Sequence, residues 1–115
     1  MSNAALDPAR RPAIVGTMTS TPITFTAPLW KWRADGAWHF VTIDAQTAAE
    51  IRYESMGQAR HFGSVKVAAT IGDTDWQTSL FPDKEGGGYL LPVKASVRNA
   101  EGLSEGDVVN VVLRV

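Results

Sequence analysis

A chain of 115 residues, 44% apolar and 20% charged, has the size and composition of one globular domain with a single modest core. Its formal net charge of −1 excludes a global field that would gather nucleic acid or an anionic membrane. The absence of cysteine excludes disulfides, thiolate nucleophiles and sulfur-ligated zinc, and is the composition expected in a reducing cytoplasm.

Residues 1–21 read as a flexible leader: small, proline-containing and without periodicity. Arg10 and Arg11 precede Pro12–Gly16, an apolar stretch too short for a signal peptide. No run in the chain reaches the roughly 18 apolar residues that would span a bilayer as a helix. The remainder, 22–115, reads as one domain.

Residues 22–32 alternate, with Ile23, Phe25, Ala27 and Leu29 on one face and Thr24, Thr26 and Trp30 on the other. That pattern predicts a half-buried strand, and Pro28 within it an edge or a bulge. Trp38 to Ile43 is a second strand, apolar on both faces and therefore expected to be covered on both. Asp44 is a helix N-cap, and the helix runs over about 45–56 to Gly57, with Ala48, Ile51 and Met56 facing the core.

After Gly63, the residues Val65, Val67, Ala69 and Ile71 alternate with polar or small ones. Gly72-Asp73 then turns the chain into an antiparallel strand over 75–81. Residues 82–88 form a polar turn, and Tyr89–Leu91 a short strand. Pro92 suits the first turn of a second helix, with Val93, Val97 and Ala100 buried and Gly102 ending it. Val108–Val115 closes the chain as a strand with Val109, Val111, Leu113 and Val115 inward. The sum is a mainly β fold: a small closed or double-split barrel of six strands with two short connecting helices.

Several segments together resemble the bacterial family of unknown function DUF1905, over about residues 22–115. They are Trp38-His39-Phe40-Val41, Gly63-Ser64-Val65, Ala69-Thr70-Ile71-Gly72, Trp76 through Pro82, Tyr89 through Arg98, and Gly106-Asp107-Val108-Val109. The resemblance implies a small β-barrel of the general kind also used by some transcription-factor and antitoxin DNA-binding domains. It implies no activity and no catalytic residues.

Lys94 and Arg98 are one helical turn apart and share a face. With the N–H groups of a helix start, and with hydroxyls from Thr78 and Ser79, they would hold a carboxylate or phosphate. The plainer alternative is a solvated helix face with an Arg98–Glu101 pair. Trp30 and Trp32, beside Lys31, Arg33 and His61, are candidates for stacking a planar ligand, whereas Trp38 and Trp76 are assigned to packing. Tyr89 joins the candidates as an acid or base.

No histidine or acidic cluster supports a metal site, and Gly86-Gly87-Gly88 precedes a strand instead of the helix that a phosphate loop requires. No cofactor is expected. The favoured reading is a non-catalytic module binding a small anionic molecule or a protein partner. A nucleic-acid-binding barrel follows as the first alternative, and an enzyme with a lysine or histidine acid–base site as the second. Composition leaves monomer and dimer equally open.

Overall fold

Alternating branched side chains turn one face of each strand away from water, and here those faces are wrapped around a common interior. The computed structural model describes residues 21–33, 36, 38–56 and 63–115. It contains strands β1 (Ile23–Lys31), β2 (His39–Ile43), β3 (Val65–Ile71), β4 (Thr74–Pro82), β5 (Tyr89–Pro92) and β6 (Val108–Arg114). Two helices, α1 (Ala45–Glu54) and α2 (Ala95–Glu101), connect β2 to β3 and β5 to β6. The expected leader, apart from Thr21, and His61 lie outside the described residues.

The strands close into an antiparallel barrel in the order β1-β2-β5-β4-β3-β6. Closure is made by β1 on β6, from Ile23 opposite Leu113 to Pro28 opposite Val108. Pro28 stands at the end of that register, where a missing N–H costs the ladder least. The interior is filled by Leu29, Val41, Ile43, Val65, Leu80, Leu91, Val111 and Leu113, all with almost no exposure. Each fully buried side chain of this size contributes about 1.5–3 kcal/mol relative to leaving it in water.

The helices leave opposite ends of the barrel. Ile43 faces Tyr89 at the end from which α1 departs, and Phe40 faces Pro92 at the end that leads to α2. Asp44 caps α1, its Oδ1 accepting from the Thr47 N–H at 2.8 Å. That backbone bond first, and the Thr47 side chain second, hold the Asp44 carboxyl below its ordinary value. A carboxyl lowered by folding stabilises above its ordinary pKa, and the contribution disappears as pH falls through the lowered value. Amide exchange at Thr47 is therefore expected to accelerate, relative to Ile51, on acidification through that window. An Asp44→Ala variant should show the faster rate at neutral pH and no such acid step.

α2 ends where Gly102 takes a left-handed conformation (φ 64°) and the Leu103 N–H returns to the Arg98 carbonyl at 2.9 Å. Its last residue, Glu101, accepts hydrogen bonds from the Thr74 hydroxyl and the Asp73 N–H, tying the helix to the β3–β4 hairpin.

Four expectations are corrected. Met56 is 72% exposed because α1 stops at Glu54, which takes Met56 off the helix face; Ser55 is buried there instead. Pro92 does not open the helix. The ladder runs on through Val93, whose N–H donates to the His39 carbonyl, so Pro92 ends β5 and Lys94 becomes the N-cap. With the helix start so shifted, Ala100 turns outward and Val97 is the helix's buried residue. The outer face of β2 is not fully covered: Phe40 is half-buried, while Trp38 and Thr42 are exposed.

Candidate functional site

Neighbouring residues on a strand point oppositely, so the strands that bury Leu80 and Val41 must present Phe81 and Phe40 to the outside. Cross-strand register then gathers those outward side chains. Trp30 lies opposite Phe40, with ring centroids 5.2 Å apart, and Phe81 lies opposite Leu90. Trp38, just before β2, lays its ring nearly parallel to Phe40 at 6.1 Å instead of entering the core. The assignment of Trp38 to packing is thereby corrected: it is 58% exposed. Trp76, in contrast, is buried.

Two concavities share Trp38 and Phe81 as walls. The first, about 610 Å³, lies at the barrel end where β5 passes into α2. It brings together Lys94, Arg98, Thr78 and Ser79, along with His39. Its walls are otherwise largely apolar, and among the described residues no acidic side chain lines it. Arg98 is held there by its Nε–H, which donates to the Val93 carbonyl at 3.1 Å. Lys94 is exposed, and its side chain makes no capping hydrogen bond. An anion in this cavity meets the cationic Lys94 and Arg98 side chains against apolar walls, where charge-assisted hydrogen bonds are stronger than in open water. Thr78 and Ser79, adjacent on β4, point oppositely and so offer one hydroxyl to any one position.

The helix start itself contributes less than the sequence suggested. α2 has seven residues, and the Val97 and Arg98 N–H groups are already turned to the Lys94 carbonyl. The positive charge at this end of the barrel resides in side chains.

The second concavity, about 690 Å³, runs over the outer face of β1, β2 and β5. Trp30 and Trp32 line it with Trp38, Phe40 and Phe81, and Asp83 and Glu85 stand on its rim. The Trp30 indole N–H donates to the Thr42 hydroxyl at 2.8 Å, which fixes that ring's orientation. The Arg33 guanidinium sits 4.5 Å from the Trp32 ring centroid.

Tyr89 belongs to neither concavity. It is 3% exposed and packed in the core, with the Arg52 guanidinium 5.6 Å from its ring centroid. The parity of the strand accounts for this, since Tyr89 shares the inward face with Leu91. Sequence reasoning passed over Phe40, Phe81 and His39 as site residues. The signal for the two phenylalanines was present in that parity: each neighbours a residue that had to be inside. Among the described residues no group of three histidine, aspartate or glutamate side chains converges as a metal site. No helix among them is long and apolar enough to cross a membrane.

The family model described as "Domain of unknown function (DUF1905)" matches residues 25–113. No curated protein matches the chain.

Proposed function

Because this chain belongs to the DUF1905 family, whose description assigns no activity, we propose its function from the site: a non-catalytic module that binds a small anionic molecule with an apolar body. The observation that carries this reading is the cavity beneath α2, where Lys94 and Arg98 line largely apolar walls together with Thr78 and Ser79. Its volume of about 610 Å³ falls within the usual range for small-ligand pockets, about 300–1,000 Å³. Apolar walls favour a ligand with a ring or short hydrocarbon body over a bare inorganic ion. The cysteine-free composition supports a cytoplasmic setting.

The test is a thermal-shift screen of aromatic and aliphatic carboxylates, sugar phosphates and nucleotides, repeated on a Lys94→Ala/Arg98→Ala variant. A ligand present at 100 times its dissociation constant stabilises the folded state by about 2.7 kcal/mol. The expected result is a shift with one anionic class that disappears in the double variant. Each protein is read against its own unliganded melting temperature, because the variant also loses the Arg98 bond to the Val93 carbonyl. A hit that persists in the variant would place the ligand elsewhere. A blank panel would remove the small-anion reading in favour of a protein partner. A steep salt dependence with short oligonucleotides would favour the nucleic-acid alternative instead.

A further inference from the structure

The outer groove differs in charge from the cavity under α2. Asp83 and Glu85 stand on its rim, and neither Lys94 nor Arg98 reaches it. Five aromatic rings, from Trp30, Trp32, Trp38, Phe40 and Phe81, form its walls. An aromatic face carries partial negative charge, so rings and carboxylates act on a ligand with the same sign. We propose that this groove is a second ligand site, for the trimethylammonium group of a free small molecule of the choline class.

The argument proceeds by what each ligand class would leave unused. A small metal cation would gain from the carboxylates but would keep its hydration shell against the rings. A neutral apolar group would cover the rings and leave the Glu85 carboxylate unused, Asp83 already accepting from the Glu85 N–H at 3.2 Å. A trimethylammonium group is weakly hydrated, bulky and positive, and it engages both. The protein itself already uses one of these rings in that way, since the Arg33 guanidinium rests over Trp32.

The walls are also held in place before any ligand arrives. Trp30 is fixed by its bond to Thr42, and Phe40 packs against both Trp30 and Trp38. A volume of about 690 Å³ accommodates a free small molecule, which is the source committed to here.

The experiment is a titration of the intact chain, at low salt, followed by tryptophan fluorescence. Three of its four tryptophans line the groove. Choline is compared with its neutral tert-butyl analogue, in which carbon replaces nitrogen. Choline is expected to give a saturable change, with the analogue weaker by about tenfold or more. Glu85→Gln, on the exposed turn, should weaken choline about threefold and leave the analogue unchanged; adding Asp83→Asn should extend the loss. Lys94→Ala/Arg98→Ala should change neither titration, which separates this site from the anion pocket.

Equal affinity for choline and the analogue would overturn the proposal, leaving an apolar groove without cation selectivity. An absent choline response would also overturn it. So would a trimethyllysine peptide that binds where choline does not, because the source would then be a protein.

Discussion

Replacing Gly88 with alanine is expected to remove about 3 kcal/mol or more of folding stability, the upper end of what overpacking costs. A Cβ on Gly88 would lie 1.8 Å from the Ile43 carbonyl oxygen and 2.9 Å from the carbonyl carbons of Ile43 and Asp44. Every one of these atoms is backbone, so no rotamer change relieves the clash. Relief requires β5 to part from β2, or the capped start of α1 to move, and both are secured by hydrogen bonds. For a domain of this size the loss corresponds to a fall in melting temperature of about 12 °C or more. Gly102→Ala is the control. There a new Cβ meets nothing within 4 Å, and only the left-handed backbone penalises it. Its cost should be about 1–2 kcal/mol, so calorimetry on the pair separates a steric from a torsional requirement.

Leu80→Ala and Phe81→Ala, one residue apart, should behave as opposites. Leu80 is fully buried beside Val65, and its truncation should cost about 2–5 kcal/mol in urea unfolding. The midpoint should fall with the slope unchanged, since the same surface is exposed on unfolding. A typical domain has about 5–15 kcal/mol in total, so this variant would sit near the limit of folding. Phe81 is 47% exposed and supports no core layer, so its truncation should change stability by about 0.5 kcal/mol or less. Because Phe81 is a wall common to both concavities, that variant should weaken the anionic ligand and choline together while remaining folded.

That contrast also explains what could be read from the chain directly. Val65 to Ile71 alternates so strictly that its inward face, and hence a strand, follows from periodicity; in Val108 to Val115 valines stand on both faces and Asn110 and Arg114 mark the outward one. Asp44 and Gly102 mark helix ends through chemistry carried by one residue each. Lys94 and Arg98 could be paired by helical spacing, but their meeting with Thr78 and Ser79 depends on α2 packing against β4, which spacing does not contain.

Trp38 shows the limit most clearly. Its aromatic neighbours suggested a strand covered on both faces, yet coverage depends on where the helices go. They go to the two ends of the barrel, so rings that composition would place inside form an open groove. Tyr89 erred in the other direction: a residue type associated with chemistry took an inward position, and its strand parity outweighed its hydroxyl. Pro92 is a third case, because a residue suited to opening a helix serves equally well to finish a ladder.

The pairing of β1 with β6 joins the first described strand to the last, Ile23 to Leu113. Contacts so distant in sequence slow folding, since a long loop must be closed before they contribute. During synthesis the barrel therefore cannot shut until its final strand has left the ribosome. Until then β1 has β2 on one side and an open edge on the other, and β3 likewise waits beyond its hairpin with β4. The nascent chain passes through a state with two unpaired strand edges, and its most aggregation-prone interval is the one before β6 emerges.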